Sequence, residues 1–267
     1  MPVETVTTES DKLKFKLTIA YDGTNYEGWQ VQKIGLGVQQ KIEEAFQQIF
    51  PMVRRIHSSS RTDTGVHARA MVAHVEISKA DFKMPVRKLP LAINAHLPED
   101  IRIVRAVVCP ATFHARYDAT GKQYRYTIWN DSVMNPLINR TAWHVPKPLD
   151  VAAMRKGAKH FLGKKDFKSL AANRDYEMES TVRRLTRCDV RKQGKEVTLV
   201  IEGDGFLYKM CRAIAGTLAM VGHGKLKPSD VKEILAKKDR RAGGVTAPAK
   251  GLVLWQVFYH GPRRKRP

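Results

Sequence analysis

The stretch that decides the fold of this chain is Arg61-Thr62-Asp63-Thr64-Gly65-Val66-His67-Ala68. A polar run at residues 57–60 precedes it, and apolar residues return from Met71 onward. The pattern predicts a strand, a tight loop that presents Asp63, and a second strand. A carboxylate in such a loop acts as a nucleophile, a general base or an arginine partner, or it caps the turn by accepting hydrogen bonds from nearby backbone amides.

Hydrophobic periodicity on both sides of this loop predicts a β-α-β-β-α-β unit. Residues 13–21 alternate between apolar and polar side chains, as in a strand with one buried face. Residues 38–50 have the apolar spacing of an amphipathic helix, and Pro51 ends it. Further strands are predicted at 52–58, 70–77 and 101–108, and a second helix at 85–95. This order of elements is that of a ferredoxin-like unit.

The second half of the chain predicts a similar but less regular set of elements. Strands are predicted at 113–119, 122–130, 182–193, 196–203 and 252–259, and helices at 150–161, 209–222 and 229–238. Residues 163–181 have weak periodicity and predict a long loop, which is either functional or a solvated connector. The basic tail at residues 261–267 predicts a disordered segment that contacts phosphate.

These elements together predict an α/β fold with a central mixed, mainly antiparallel sheet built from two ferredoxin-like halves. The first half, residues 1–112, carries the Asp63 loop. The second half, residues 113–267, contributes a tyrosine-containing strand and an arginine-containing helix. The chain of 267 residues, 43% of them hydrophobic, is long enough to build such a core without metals or disulfides.

Charge is the informative bulk property of the chain. Lysine and arginine total 47 against 26 aspartate and glutamate, which gives a net charge of +21. The excess is concentrated at residues 113–267, whose net charge is +18 against +3 for residues 1–112. A phosphate backbone is the partner that this charge favours, because neutralising phosphates releases condensed counterions. An anionic membrane is disfavoured, because neither a basic amphipathic helix nor a lipidation signal is present.

Other features of the sequence exclude further classes. No apolar run approaches the roughly 20 residues that span a membrane, and the polar N-terminus lacks a signal core, so we expect a cytoplasmic protein. The three cysteines are far apart and form no C-x-x-C pair, which argues against a structural zinc site. We therefore predict no metal and no membrane association.

Two residues of the second half are candidates for the site. Tyr124 lies in a predicted strand, and its ring either packs in the core or stacks on an unpaired base; for the neighbouring Tyr126 we favour the core. Arg212 lies in a predicted helix that is apolar nearly all round, so its guanidinium needs an anionic partner. That partner is Asp204 or Glu202 in a structural ion pair or, as we favour, Asp63, whose carboxylate it would keep ionised.

Two residues of the motif itself are further candidates. Arg61 lies two residues before Asp63, so in an extended loop both side chains point to the same side. Arg61 then pairs with Asp63, holds a substrate phosphate, or is an ordinary surface arginine. His67 is positioned like a general base, but a histidine that enters a strand after a turn is more often structural, and we give it little weight.

The motifs resemble those of the TruA family of tRNA pseudouridine synthases. The sequence RTDTGVHA is similar to the family signature RTDxGVHA, and the resemblance covers most of the chain. Four further segments resemble family motifs: residues 21–30 (YDGTNYEGWQ), residues 93–101 (INAHLPEDI), residues 113–126 (from FHAR to KQYRY) and residues 206–212 (FLYKMCR). The closing strand from Gly251 matches as well. The chain departs from the usual family pattern at Ser60, at Ala70-Met71 and at Cys211.

The resemblance implies a function and roles for the candidate residues. It implies a homodimeric enzyme that isomerises uridine to pseudouridine in the anticodon stem-loop of tRNA, at positions 38–40, without a cofactor. Asp63 would be the catalytic nucleophile, which forms an adduct or removes the proton at C2′. Arg212 would be its partner, and Tyr124 the residue that packs on the target base. Arg61 would contact the substrate. Two other hypotheses remain open: a catalytically inactive RNA-binding protein of the same fold, and a structural ribosome-associated protein.

Overall fold

The chain folds into two compact units in a computed structural model that describes residues 11–32, 34–172 and 180–259. The first unit contains residues up to Thr64, residues 68–119 and Tyr259. The second unit contains residues 65–67 and 120–258. The predicted basic tail lies outside the described residues.

The first unit has the β-α-β-β-α-β order that the sequence predicts. Its elements are β1 (Lys12–Tyr21), α1 (Val38–Gln47), β2 (His57–Ser58), β3 (His67–Ser78), α2 (Leu89–Asn94) and β4 (Ile101–Cys109). A short 3-10 turn at Val86–Lys88 leads into α2. The strands lie in the order β4-β1-β3-β2 and every pair is antiparallel. This order is the ferredoxin-like arrangement.

The core of the first unit follows from the alternation in β1. Phe15, Leu17, Ile19 and Tyr21 are buried, whereas the intervening residues are partly exposed. The helices supply the other side of the core, with Ile42 and Phe46 from α1 and Leu89 and Ile93 from α2 all buried. The apolar face of a strand and the apolar stripe of a helix thus exclude water from each other.

The second unit repeats this plan with additions. Its elements are β5 (Ala119–Trp129), β6 (Trp143–His144), α3 (Val151–Ala158), β7 (Gly163–Asp166), β8 (Val182–Gln193), β9 (Glu196–Gly203), α4 (Met210–Gly222), α5 (Asp230–Lys237) and β10 (Leu252–Tyr259). The strand order is β10-β5-β9-β8-β7, and β6 adds a short parallel pairing to β5. Without β6 and β7 the order is again ferredoxin-like. The predicted fold class, a mixed and mainly antiparallel α/β protein, is confirmed.

Helices α3, α4 and α5 pack closely because glycine stands where they meet. A Cβ atom on Gly157 of α3 would lie 3.3 Å from Leu218 of α4 and 3.6 Å from Val231 of α5. Helix α4 is buried almost all round, as its apolar sequence predicts. The interior of the second unit is therefore centred on α4, the helix that carries Arg212.

The structure shortens one predicted strand, since residues 52–56 lie outside β2, and it corrects two other predicted elements. Residues 113–119 do not form a strand: residues 113–118 are a turn region, and β5 begins only at Ala119. Residues 163–181 are not one long loop, since β7 at Gly163–Asp166 pairs with β8 and a 3-10 turn follows at Lys168–Leu170. Residues 173–179 of that segment lie outside the described residues. No helix in the described ranges is long and apolar enough to cross a membrane.

Candidate active site

The loop that presents Asp63 connects β2 to β3 and is fastened on both sides of the carboxylate. The buried Thr62 places its Oγ1 2.8 Å from the hydroxyl of the buried Tyr21 at the end of β1. Thr64 donates a hydrogen bond from Oγ1 to Glu27 Oε2 at 2.9 Å. Asp63 itself is partly exposed. The chain thus holds the backbone around Asp63 while leaving its side chain accessible to a substrate.

Gly28 permits the close approach that holds this loop. Its φ of +91° belongs to the region that glycine occupies without steric cost. A Cβ atom there would lie 2.4 Å from the carbonyl oxygen of Thr62 and 3.1 Å from the carbonyl carbon of Asp63. The backbone amide of Trp29 donates to the same Thr62 oxygen at 3.1 Å. Residues 21–30 therefore form the support against which the Asp63 loop rests.

Arg61 shares the loop with Asp63 and is exposed. The buried Thr62 lies between them, as expected for an extended segment in which alternate side chains point away from the core. The structure therefore brings Arg61 and Asp63 into one loop. Contact of Arg61 with a substrate phosphate stays a prediction.

Tyr124 lies on β5 of the second unit, opposite Ile201 of β9. Its side chain is only 7% exposed, and the ring of Phe206 meets it edge-on at a centroid distance of 5.0 Å. The two rings form an edge-to-face aromatic pair. Tyr126, two residues on, is fully buried and donates its hydroxyl hydrogen to the carbonyl oxygen of Pro248 at 2.8 Å, so its predicted place in the core is confirmed.

Arg212 lies in the first turn of α4 and is half-buried. Its Nε donates to the carbonyl oxygen of Ala247 at 2.8 Å, and the Ala247 amide donates back to the Arg212 carbonyl at 3.1 Å. This reciprocal pair fixes the stem of the side chain. Of the two carboxylates considered as structural partners, Glu202 accepts from Gln123 and Arg187, and Asp204 accepts from the Arg184 amide.

His67 has a structural role in the second unit. It is buried, and its Nε2 lies 2.9 Å from the carbonyl oxygen of Arg140 and 3.1 Å from that of Lys250. Because carbonyl oxygens only accept, Nε2 carries the proton and is engaged by the backbone. This arrangement supports the low weight given to His67 as a base.

Several partners of the candidate residues had no assigned role in the sequence analysis. Phe206 against Tyr124, Ala247 against Arg212, and Gly28 against Thr62 are all such partners. Two of them, Gly28 and Phe206, lie in segments that resemble family motifs. Their place in these motifs was the only sequence feature that could have pointed to a role. Among the described residues no group of three or more His, Cys, Asp or Glu side chains is placed to hold a metal ion.

Comparison with known proteins gives the family. The profile of the family described as tRNA pseudouridine synthase matches residues 17–118 and 158–260. The chain is 45% identical over 246 residues to tRNA pseudouridine synthase A of Geotalea uraniireducens, covering 92% of this chain and 99% of that protein. The chain belongs to the tRNA pseudouridine synthase family.

Other members of this family show the same extent of similarity. The chain is 43% identical over 244 residues to tRNA pseudouridine synthase A 2 of Clostridium perfringens, covering 91% of this chain and 98% of that protein. It is 43% identical over 247 residues to tRNA pseudouridine synthase A of Ruminiclostridium cellulolyticum, covering 92% and 99%. The predicted resemblance to TruA enzymes is confirmed, and so is the prediction that the chain is an enzyme of the pseudouridine synthase class.

Proposed function

We propose that this pseudouridine synthase isomerises uridine at positions 38–40 of the anticodon stem-loop of tRNA, with Asp63 as the nucleophile. The reaction breaks the bond between N1 of uracil and C1′ of ribose. The freed uracil turns, its C5 joins C1′, the hydrogen on C5 leaves as a proton, and N1 takes up a proton. Atoms and electrons balance without an oxidant, a reductant or a hydrolytic water.

The observation that carries this proposal is the Asp63 loop. Its backbone is fastened through Thr62 and Thr64, and its carboxylate remains partly exposed. A nucleophile must be held in place by its surroundings and still reach the reacting carbon. A uridine inside a helical stack is out of reach, so the target nucleotide must leave the stack to meet Asp63.

The other candidate residues take supporting roles in this proposal. Arg212, whose stem is fixed by the Ala247 carbonyl, would pair with Asp63 and keep its carboxylate ionised. Tyr124, backed by Phe206, would pack against the uracil. The exposed Arg61 would bind a phosphate of the anticodon loop. The resemblance to TruA enzymes further supports a homodimer in the cytoplasm.

The experiment that tests the proposal measures tritium release from tRNA transcripts that carry 5-tritiated uridine. C5 loses its hydrogen only when the new carbon–carbon bond forms. We expect release with the native chain, and a rate lower by about a thousandfold or more with Asp63→Asn, which has a similar shape but a much poorer nucleophile. Transcripts with cytidine at position 38, 39 or 40 then show which of the three uridines contribute.

The matched control is Asp81→Asn, which makes the same chemical change at an exposed position of the first unit. It should leave the rate of tritium release unchanged. Binding of tRNA by the native chain without tritium release would identify a catalytically inactive RNA-binding protein and contradict the proposal. Equal rates for native protein and Asp63→Asn would contradict the role of Asp63 alone.

A further inference from the structure

A column of aromatic rings ends at the surface of the first unit. Tyr117 stacks on His114, with ring centroids 4.1 Å apart and planes inclined by 28°. His114 meets His74 edge-on at 4.7 Å, and His74 stacks on His57 of β2 at 5.0 Å. The outermost ring, Tyr117, is 75% exposed. The Tyr117 ring thus packs on His114 and is exposed to solvent, and the proposed reaction does not use it.

The turn that carries Tyr117 is rigid because its polar groups are bonded within it. The backbone amides of Arg116 and Tyr117 lie 3.2 and 3.3 Å from His114 Nδ1, which accepts from them. The side chain of Asp118 accepts from the His114 amide at 3.0 Å. The Ala115 amide donates to His74 Nδ1 at 3.1 Å, which ties the turn to β3. Little conformational entropy is lost when a ligand binds to a surface that is already ordered.

The charge beside the column is suited to a nucleotide. Arg116 is exposed, and its guanidinium carbon lies 5.9 Å from the centre of the Tyr117 ring. Burial and the neighbouring His57 hold the pKa of His114 below its ordinary value, so the ring beneath Tyr117 is neutral at pH 7. The exposed Tyr117 ring offers a stacking surface for a base, and the Arg116 guanidinium, which lies over the ring, offers a cation for its phosphate.

We propose that Tyr117 is a stacking platform for an unpaired base of the tRNA, outside the catalytic site, and that Arg116 binds the adjoining phosphate. This inference rests on the proposed function for the identity of the RNA. The column begins at His57, six residues before Asp63, a length of chain that spans at most about 20 Å. This separation is short enough for one tRNA to reach both, and the base on Tyr117 would be a second contact on the substrate besides the uridine that reacts at Asp63.

The test compares the binding of unmodified tRNA transcript by native protein, Tyr117→Ala and Tyr117→Phe. Removing one stacked aromatic ring should raise the dissociation constant by about 5- to 150-fold. Tyr117→Phe keeps the ring and should bind like the native chain. The rate of tritium release at saturating tRNA should be unchanged in both variants, because Tyr117 positions the RNA and does not touch the reacting atoms.

The matched control is Val104→Ala, which removes an apolar side chain that is 60% exposed on β4 of the same unit. Its dissociation constant should equal that of native protein. Equal affinity for native protein and Tyr117→Ala would overturn the platform, as would a loss as large in Tyr117→Phe as in Tyr117→Ala. A fall in molecular mass of Tyr117→Ala in sedimentation would also overturn it, by assigning the ring to contact between protein copies.

These results separate this inference from the proposed function. Native protein that releases tritium while Tyr117→Ala binds normally contradicts the platform only. Native protein that binds tRNA through Tyr117 without releasing tritium contradicts the proposed reaction only.

Discussion

Gly28 is one of the residues that determine the position of the Asp63 loop. Its missing side chain lets the backbone at residues 28–29 lie against Thr62, and its φ of +91° turns the chain so that Trp29 can donate to the Thr62 carbonyl. Any larger residue would meet backbone atoms, which cannot rotate away as a side chain can. Gly28, which supports the loop of the proposed nucleophile Asp63, therefore lies 35 positions before it in the sequence.

We predict that Gly28→Ala lowers both stability and activity. The left-handed backbone and the overlap with the Thr62 oxygen should together lower the free energy of unfolding by more than about 2 kcal/mol. Gly163→Ala is the matched control, because Gly163 has the same φ of +91° and no atom within 4 Å of an added Cβ. It should cost only about 1–2 kcal/mol and leave tritium release unchanged. Equal effects in denaturant unfolding would show that the Thr62 contact does not matter.

The candidate residues and their supports differ in how far the sequence predicts them. Arg212 stands out because a charge interrupts an apolar helix, which is visible locally, whereas Asp63, Arg61 and Tyr124 stand out because they lie in motifs that resemble those of the TruA family. Their supports are defined by contacts with residues distant in the chain. The Thr62 hydroxyl against Tyr21 and the Arg212 guanidinium against the Ala247 carbonyl leave no local signal in composition or periodicity.

At the scale of elements, hydrophobic periodicity predicted the buried strands and helices well. Strand β10 has the predicted bounds, and β1 differs by one residue. These elements have one face in the core, and burial imposes the period that the sequence displays. The predicted helix at 38–50 is confirmed as α1, which ends earlier, at Gln47.

The two wrong predictions share a physical cause: the segments are held by hydrogen bonds, which the spacing of apolar residues does not reveal. In residues 113–119 the alternation of Phe113, Ala115 and Tyr117 imitates a strand. Side chains of His114 and Asp118 instead bond to nearby amides and stabilise a turn. Strand β7 has no apolar pattern because it lies at the edge of the sheet. Lysines such as Lys164 are tolerated there, and their charge hinders pairing with another chain.

Helix α4 holds the segment at residues 243–247 against its side, and this packing fixes Arg212. A Cβ on Gly216 would lie 1.7 Å from the carbonyl oxygen of Val245, so only glycine permits the contact. The Gly244 amide donates to the Thr217 hydroxyl at 3.2 Å, one residue further along α4. One turn earlier, the same segment reaches Arg212 through Ala247. The orientation of Arg212 is therefore a property of the helix and its neighbouring segment together.

We predict that Gly216→Ala displaces this segment and impairs catalysis. The free energy of unfolding should fall by about 2 kcal/mol or more, because backbone atoms must move. The rate of tritium release at saturating tRNA should fall about 10- to 100-fold as Arg212 loses its alignment.

The control for this variant is Gly222→Ala on the same helix. A Cβ there meets the ends of the Leu149 and Met154 side chains at 2.9 Å, which can move aside. This variant should keep the native rate. An unchanged rate in Gly216→Ala, despite a loss of stability, would show that the position of residues 243–247 does not determine the alignment of Arg212.

At the scale of the whole molecule, the buried His74 makes folding depend on pH. Burial lowers its pKa most, and the neighbouring His114, His57 and Lys14 lower it further, to about 4. Its Nδ1 already accepts a hydrogen bond from the Ala115 amide, an interaction that requires the unprotonated nitrogen. The folded protein thus holds His74 neutral across the physiological range.

This shift links folding to pH with a definite sign. In the unfolded chain His74 has its ordinary pKa of 6.5, so between pH 6.5 and about 4 the unfolded state binds more protons than the folded state. The stability that neutral His74 supports is fully present above pH 6.5 and is lost as pH falls towards 4. A difference of this size corresponds to about 3 kcal/mol.

We predict that His74→Gln removes this dependence. The glutamine amide oxygen can still accept from the Ala115 amide, but the side chain does not titrate. The free energy of unfolding, measured by urea denaturation from pH 4 to 8, should therefore fall less steeply below pH 6.5 in the variant than in the native chain. The difference between the two should be constant above pH 7 and change by about 3 kcal/mol towards pH 4. A difference that stays constant over the whole range would mean that His74 is protonated with equal ease in the folded and unfolded chain, and that its column of rings is open to water.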